Sequence, residues 1–263
     1  MYQLFSKPDK YLGLCGHLDC EVTRWRIPGA LEFMRGVRLL FAADFHVTQR
    51  AADGDIDALL QKIEGTKPDL ILLGGDFADR AEHARRLFDR WAGLSAPLGC
   101  FAVVGNNDAE AWPGQSELRQ ALDQAGIRLL VNESVSIDVN GGRLIVAGVD
   151  EYRYGAPDTC GLYPAGPSGN IYRLLMSHYP ILPEVLPDLM LSGHTHGGQF
   201  NLLGLTPFTI GFERLVSPRP HSRYIAGLHQ RGGAQVLVTK GIGASRIPLR
   251  VCVRPEICLI EFD

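Results

Sequence analysis

Residues 191–199 read L-S-G-H-T-H-G-G-Q, and the organisation of the whole chain follows from this segment. A short apolar run leads into His194 and His196, which stand two residues apart in front of two glycines. In an extended segment, side chains two residues apart point to the same side of the backbone. The glycines allow a sharp turn directly afterwards. A solvated loop can carry the same residues, so a single His-x-His pair is weak evidence for a metal site. Whether this pair indicates a metal site depends on the polar residues that follow apolar runs earlier in the chain.

The composition of the chain is that of an ordinary globular protein. Its 263 residues are 46% hydrophobic and 21% charged, which provides enough apolar material for a sizeable core. We expect a single domain over residues 1–263, because α/β folds of this length are commonly single domains. The net charge of −3 lacks the basic surplus of a dedicated nucleic-acid-binding protein. No segment has the apolar length of a membrane span, so we expect a cytoplasmic protein. Peripheral contact with the inner membrane surface and the oligomeric state stay open.

Apolar strands alternate with amphipathic helices in the first half of the chain. Near-continuous apolar runs at residues 37–43 and 70–73 are typical of strands that are covered on both faces. Apolar periodicity predicts helices at residues 53–64, 81–94 and 117–125. The other predicted strands are residues 21–27, 100–104, 128–131, 134–139, 144–149, 172–177, 189–192, 223–228, 235–239, 250–253 and 256–262. Alternating strands and helices followed by mainly β structure indicate an α/β domain.

A polar cluster follows five of these predicted strands. The clusters are Asp44 with His46, Asp76, residues 106–108, His178, and His194 with His196. Ligand sites in open α/β sheets form beyond the carboxyl ends of strands, so clusters that are distant in sequence would converge there. Taken singly, each cluster also fits a helix cap, an ordinary turn or a satisfied loop histidine. Five clusters at five strand ends favour one common site.

The candidate ligands are carboxylates, imidazoles and an amide oxygen, without a cysteine. Such donors suit Mn, Fe and Zn better than soft ions. Seven ligands are too many for one tetrahedral site and fit two ions that share a bridging carboxylate. Two ions about 3.5–4 Å apart can hold a water as hydroxide and clamp phosphoryl oxygens. The residues therefore predict a two-metal phosphohydrolase, with Mn as the expected metal and Fe or Zn as alternatives.

The same clusters resemble the motifs of the calcineurin-like metallophosphoesterases. The matching segments are D-F-H (44–46), G-G-D-F-A-D (74–79), G-N-N-D (105–108), S-H-Y-P (177–180) and G-H-T-H-G-G-Q (193–199). The tail at residues 239–257 further resembles a bacterial branch of small phosphodiesterases that includes UDP-diacylglucosamine pyrophosphatases. The resemblance implies a four-layer α-β-β-α sandwich, with two mixed sheets packed face to face and helices outside. It also implies cleavage of a phosphodiester or pyrophosphate bond by metal-bound hydroxide.

The resemblance further implies a role for each candidate ligand. Seven residues fall into two groups that share one bridging carboxylate. The first ion would be held by Asp44, His46 and His196, the second by Asn106, His178 and His194, and Asp76 would bridge the two.

Asn107 departs from the family pattern, which usually reads G-N-H-D. Together with Asp108 it occupies the position that we assign to catalysis. In the family that histidine is thought to contact the scissile phosphate and help protonate the leaving group. An amide donates hydrogen bonds but is no general acid at neutral pH. Three explanations stay open: a good leaving group, a substitute acid among His83, His221 and His229, or a catalytically weak module that acts as a protein-interaction scaffold. The complete ligand set favours the enzyme.

Two further features bear on the substrate. Residues 200–215 are rich in apolar side chains, which would either form a lip for a lipid tail or membrane surface or simply cover the sheet edge. Arg214, Arg219 and Arg223 would neutralise a substrate phosphate, or would lie in solvent. The expected substrate is a phosphate ester or a molecule that resembles a nucleotide-diphosphate lipid.

Overall fold

Two six-stranded mixed β-sheets are packed face to face at the centre of the protein. The computed structural model describes residues 11–14, 18–164, 169–203, 205–207 and 224–263. His221, Arg214, Arg219 and Arg223 lie outside the described residues, as do residue 204 and residues 208–215 of the predicted apolar lip.

The first sheet is mainly parallel. Its strands, in spatial order, are β2 (Glu21–Ile27), β14 (Glu256–Phe262), β3 (Arg38–Ala42), β4 (Leu70–Leu73), β5 (Cys100–Ala102) and β6 (Arg128–Leu129). Strand β14 is antiparallel to β3, and the other neighbours are parallel. The carboxyl ends of β3, β4 and β5 therefore lie at one edge of this sheet.

The second sheet has four parallel strands in its middle and an antiparallel strand at each edge. Its strands, in spatial order, are β11 (Gly227–Arg231), β12 (Ala234–Val238), β10 (Leu189–Ser192), β9 (Ile171–Met176), β8 (Gly142–Gly148) and β7 (Glu133–Val139). A separate two-stranded sheet pairs β1 (Leu12–Leu14) with β13 (Leu249–Val251).

Strand β3 shows why the central strands are apolar throughout. Leu39 and Phe41 belong to the core between the two sheets, whereas Leu40 and Ala42 belong to the core under the helices. Successive side chains of a strand point to opposite faces, so a strand covered on both faces has no position that favours a polar residue.

The described helices pack on the outer face of the first sheet. They are α1 (Asp53–Gly65), α2 (Ala81–Trp91), the short α3 (Asn106–Ala111) and α4 (Gln115–Gln124). Their apolar faces contribute Ile56, Leu87 and Leu118, among others, to the helix-side core. In the described part of the chain, the outer face of the second sheet is covered by loop residues such as Tyr152 and Leu182. The predicted fold class, an α/β sandwich of two mixed sheets with flanking helices, is confirmed.

Most predicted elements agree with the structure, and the differences lie in several boundaries and in short elements, such as β1 and α3, that were not predicted. Strand β11 begins at Gly227 and runs to Arg231, later than the predicted residues 223–228, because it is set by antiparallel pairing with β12. Helix α2 ends at Trp91, before the predicted end at residue 94. Helix α3 was not predicted, because its polar sequence carries no apolar periodicity. No described helix combines the length and the apolarity that crossing a membrane requires.

Candidate metal centre

The backbone turns sharply where the predicted ligands lie. Five of these non-glycine residues have left-handed φ angles: Asp44 (54°), His46 (44°), Asp76 (58°), His194 (69°) and His196 (51°). Each such conformation costs on the order of 1–3 kcal/mol and persists only where surrounding contacts impose it. Five of the thirteen described non-glycine residues with a positive φ are thus predicted ligands, a concentration that is typical of functional sites.

Hydrogen bonds join the strand ends of both sheets. The amide of Asp44 donates to the carbonyl of Gly75 (2.9 Å), and the amide of His46 donates to the carbonyl of Asp76 (3.0 Å). The amide of His194 donates to both carboxylate oxygens of Asp44, at 3.1 and 3.0 Å. Residues that follow β3, β4 and β10 are therefore held in one cluster.

Asp76 lies at the centre of this cluster. Its Oδ2 atom is 3.5 Å from Nε2 of His46 and 3.4 Å from Nε2 of His178. Asn107 donates two hydrogen bonds to the same carboxylate. Its backbone nitrogen donates to Oδ1 (2.8 Å), and its side-chain Nδ2 donates to Oδ2 (2.6 Å). One oxygen of Asp76 thus faces one histidine from each predicted ion site, which is the position that a bridging carboxylate needs.

Two groups of three side chains could each hold an ion. The possible ligand atoms of Asp44, His46 and His196 lie within 4.8 Å of one another, and the same holds for Asp44, Asp76 and His178. In the first group, Nε2 of His46 and Nε2 of His196 are 3.1 Å apart. Nε2 of His196 is also 3.6 Å from Oδ1 of Asp44. These five residues come from four strand ends, those of β3, β4, β9 and β10, and all are buried.

His178 tests whether the residues fit a metal ion. Its Nδ1 atom lies 2.7 Å from the carbonyl oxygen of Gly74. A carbonyl only accepts, so Nδ1 carries a proton, and in the neutral form of the ring Nε2 presents a lone pair to the cluster. Nε2 is buried and makes no hydrogen bond of good geometry within the described residues, although Oδ2 of Asp76 lies 3.4 Å away. A ring that donates one nitrogen to a backbone carbonyl and leaves the other available is the usual arrangement of a metal-bound histidine. The site therefore fits a divalent cation.

His194 and Asn106 lie at the margin of the cluster and meet at Tyr179. The rings of Tyr179 and His194 are stacked, with their centroids 3.8 Å apart. The Tyr179 hydroxyl donates to Oδ1 of Asn106 at 3.4 Å. His194 also contacts His178 edge to face, with ring centroids 5.2 Å apart. His194 belongs to neither of the two close groups, but its ring contacts Tyr179 and His178 and its backbone amide donates to Asp44.

The electrostatics of the cluster favour an added positive charge. Burial, together with the negative charge of Asp76, raises the pKa of Asp44 to about 7. Burial by itself lowers the pKa of His178, but the Asp76 carboxylate outweighs it and raises that pKa to about 10, so a cation that binds at Nε2 has to displace a proton there. Burial and the positive charge of His178 lower the pKa of His194 to about 3. A divalent cation would stabilise both carboxylates and accept the lone pairs of neutral imidazoles.

Asp108 holds the loops of the site together. Its Oδ2 accepts from the amides of Asp76 (2.7 Å) and Gly105 (2.9 Å), and its Oδ1 accepts from the amide of Phe77 (2.9 Å). Burial raises the pKa of Asp108 to about 7. These contacts support a positioning role for Asp108, and a catalytic role for Asn107 and Asp108 stays a prediction.

Two of the candidate substitute acids, His83 and His229, lie in the described part of the chain and have their own partners. His83 lies 2.6 Å from Oδ1 of Asp79 through Nδ1 and 3.6 Å from Oε1 of Glu82 through Nε2. His229 contacts the carbonyl of Ala226 and packs against Tyr224. These contacts join neither histidine to a predicted ligand, so the substitute acid stays a prediction.

The C-terminal tail completes the site in a way that the sequence did not predict. The amide of Gly243 donates to the carbonyl of Asp44 at 2.6 Å. Arg250, which is fully buried, donates from Nε to the carbonyl of Gly243 (2.8 Å) and from a terminal nitrogen to the carbonyl of His196 (3.3 Å). The only sequence signal for these contacts was the resemblance of residues 239–257 to the bacterial branch of small phosphodiesterases.

Gly241 offers a test of this tail contact. Its φ is +69°, and a Cβ atom there would lie 2.6 Å from Cβ of Asp44. We expect Gly241→Ala to lower Mn²⁺ affinity about tenfold or more, because it displaces a ligand. Gly126→Ala is the control, since Gly126 also has a positive φ (+77°) but no heavy atom within 4 Å of the added Cβ. Both variants pay roughly 1–2 kcal/mol for the left-handed backbone. Calorimetric titration measures the Mn²⁺ affinity of each variant, and urea unfolding measures its stability. Equal Mn²⁺ affinities of Gly241→Ala and Gly126→Ala would contradict the expectation.

Comparison with known families agrees with this geometry. Residues 37–198 match the profile of the calcineurin-like phosphoesterases, a span that contains all seven predicted ligands. The chain belongs to the calcineurin-like phosphoesterase family. Its fold and its polar strand ends are therefore those of a metal-dependent phosphoester hydrolase family.

Relatives of this phosphoesterase include proteins named for two kinds of reaction. This chain is 33% identical over 261 residues to the phosphodiesterase YaeI of Escherichia coli, and the aligned region covers 95% of this chain and 91% of that protein. It is 28% identical over 230 residues to the metallophosphoesterase YkuE of Bacillus subtilis, covering 84% of this chain and 77% of that protein. Over 86 residues it is 35% identical to the UDP-2,3-diacylglucosamine pyrophosphatase LpxG of Chlamydia muridarum, covering 32% of this chain and 26% of that protein.

Proposed function

We propose that this phosphoesterase hydrolyses a phosphodiester or pyrophosphate bond with two divalent ions bound around Asp76. The observation that carries the proposal is the position of Asp76 Oδ2, between Nε2 of His46 at 3.5 Å and Nε2 of His178 at 3.4 Å. A shared carboxylate between two sets of imidazoles is the ligand arrangement of a two-metal site. The names of YaeI and LpxG support the two bond types.

The residues divide into two ligand sets under this proposal. The first ion would be held by Asp44, His46 and His196, the second by Asn106, His178 and His194, with Asp76 shared. When bound, two such ions supply a water of lowered pKa as nucleophile and neutralise phosphoryl oxygens. Mn²⁺ is the metal that we propose, because carboxylate, amide and imidazole donors suit it; Fe and Zn are the alternatives.

Asn107 shapes the substrate range that we propose. One hydrogen of its Nδ2 is directed to Asp76, and an amide nitrogen has a second hydrogen that can be donated to a phosphoryl oxygen. The amide supplies no proton to a leaving oxygen at neutral pH. The substrate should therefore have a leaving group that is stable as an anion, such as a nucleotide phosphate.

Exposed leucines that closely follow the candidate ligand His196 in the sequence support a substrate with acyl chains and a peripheral membrane contact. Leu202, Leu203 and Leu205 are 60%, 93% and 62% exposed. Their segment follows Gln199, whose Nε2 donates to the backbone carbonyl of Leu249 at 3.1 Å, and Gln199 is three residues after the ligand His196. Water-exposed leucines beside a polar site gain free energy when an acyl chain covers them.

Reconstitution with metal tests the function. We expect metal-free protein to be inactive and to hydrolyse bis(p-nitrophenyl) phosphate after addition of Mn²⁺. A protein that binds Mn²⁺, Fe²⁺ or Zn²⁺ but turns over neither diesters nor nucleoside-diphosphate esters would contradict the enzyme and support the scaffold alternative.

A second arm of the same assay tests the substrate class. Two nucleoside-diphosphate substrates that differ only in their acyl chains are compared at equal concentration below the micellar range. We expect the acylated substrate to have the higher kcat/KM. Equal values would argue against the acyl-chain proposal while leaving the hydrolytic function intact.

A further inference from the structure

Tyr179 contacts ligands that come from three different strand ends. It directly follows His178 after β9, its ring stacks on His194 after β10 at a centroid distance of 3.8 Å, and its hydroxyl donates to Asn106 after β5 at 3.4 Å. Only 8% of Tyr179 is exposed. These three ligands are the ones that the second ion would use.

The position of Tyr179 is itself fixed from several sides. Its carbonyl oxygen accepts from the hydroxyl of Ser177 at 2.7 Å and from the hydroxyl of Ser192 at 3.5 Å. The ring of Tyr152 also lies next to the ring of Tyr179, with ring centroids 6.0 Å apart. A side chain held in this way can in turn hold the groups that it touches, since its own rotamer is restricted by packing.

We propose that Tyr179 is a positioning residue for the second ion, because it orients the ring of His194 and the amide of Asn106 together. The inference rests on the proposed two-metal function and adds a residue that determines how tightly one of the two ions is held. The first ion would depend on Tyr179 much less, since Asp44, His46 and His196 make no ring contact with it within the described part of the chain.

The chemistry of each contact is compatible with metal binding. An amide oxygen has two lone pairs, so Oδ1 of Asn106 can accept the Tyr179 hydroxyl with one and bind an ion with the other. A stacked ring restrains the plane of His194 without using either of its nitrogens. Aromatic pairs of this kind contribute about 0.5–1.5 kcal/mol beyond the area that they bury. Outer-shell partners of metal ligands typically contribute 10–100-fold to metal affinity.

Two variants separate the ring from the hydroxyl. Tyr179→Leu removes both contacts, and we expect the affinity for the second Mn²⁺ ion to fall about 10–100-fold, with the first ion changed by less than about threefold. Tyr179→Phe keeps the stack and loses only the hydrogen bond, so a smaller loss, within about tenfold, is expected. Calorimetric Mn²⁺ titration gives both affinities. Electron paramagnetic resonance distinguishes an isolated Mn²⁺ ion from a coupled pair.

Tyr172 is the matched control. It is a buried tyrosine that packs edge to face on Phe262 at 5.4 Å, in the core between the sheets. Tyr172→Leu should lower the free energy of unfolding of the metal-free protein and leave both Mn²⁺ affinities unchanged. A purely structural Tyr179 would behave in the same way, so the ratio of the two ion affinities is the readout that distinguishes the roles.

Each outcome decides the inference. Wild-type affinity for the second ion in folded Tyr179→Leu, or an equal loss for both ions, would overturn it. If Tyr179→Leu does not fold, Tyr179→Phe decides, and an unchanged second-ion affinity there counts against the inference. A wild-type protein that binds two ions but hydrolyses no phosphoester would refute the proposed function without affecting the inference about Tyr179.

Discussion

Asp76→Asn is expected to lower phosphodiester hydrolysis by about 10³-fold or more and to prevent the binding of two ions together. Metal ions contribute several kcal/mol of transition-state stabilisation, and about 4 kcal/mol corresponds to about 10³-fold in rate. Oδ2 of Asp76 lies 3.5 Å from Nε2 of His46 and 3.4 Å from Nε2 of His178, so this single carboxylate would serve both of the ligand sets that we propose. An amide carries no charge and can turn its nitrogen toward either ion.

The measurement combines activity with metal content. We expect metal analysis of dialysed Asp76→Asn protein to give at most one Mn²⁺ per chain, against two for the wild type. Asp138→Asn is the control, since the Asp138 side chain lies on β7 and is 96% exposed. Two bound ions together with more than about a tenth of wild-type activity would show that Asp76 does not bridge. Far-ultraviolet circular dichroism establishes that both variants are folded.

Asn107→His is expected to accelerate the hydrolysis of esters with poor leaving groups by about 10²-fold. A positioned general acid contributes typically 10²–10⁴-fold, and it contributes most where the departing oxygen is basic. For p-nitrophenyl esters, whose leaving group needs little protonation, we expect a change of less than about threefold. The plot of log kcat against leaving-group pKa should therefore be flatter in the variant than in the wild type.

A second variant controls for the contact with Asp76. Nδ2 of Asn107 donates to Oδ2 of Asp76 at 2.6 Å, so any substitution also changes that hydrogen bond. Asn107→Ala removes the donor and supplies no acid, and we expect it to slow all esters by a similar factor. If Asn107→His also changes all esters by one common factor, Asn107 does not occupy the position of the acid.

The sequence predicted the fold because the pattern of each strand reflects its own burial. The four residues of β4, Leu70–Leu73, are apolar because both faces of the strand are covered, and this is visible without knowing what covers them. The later start of β11 was not visible, since Gly227–Arg231 is set by pairing with β12. Helix α3 was missed because its stabilising contact is a hydrogen bond from the backbone amide of Gly105 to the Asp108 carboxylate. It has no periodic apolar face that the sequence would reveal.

The candidate ligands could be identified from local sequence because each follows the end of a strand. Parallel strands deliver their carboxyl ends to one edge, so Asp44, Asp76 and His178 were expected to converge. The contacts that each side chain makes there could not be predicted from local sequence. That His178 uses Nδ1 for the Gly74 carbonyl and leaves Nε2 for an ion depends on two loops from different sheets.

The sequence by itself determined the class of this protein: its strand order along the chain, its metal-type side chains and its resemblance to the calcineurin-like family. These features are encoded locally, in apolar runs and in the residues directly after them. Only the tertiary structure decided which groups contact the candidate ligands and their loops. Tyr179 contacts His194 and Asn106, the Asp108 carboxylate accepts from three backbone amides, and Arg250 donates to the carbonyl of His196. Such contacts join residues that are far apart in the chain, and their partners exist only once both sheets have packed.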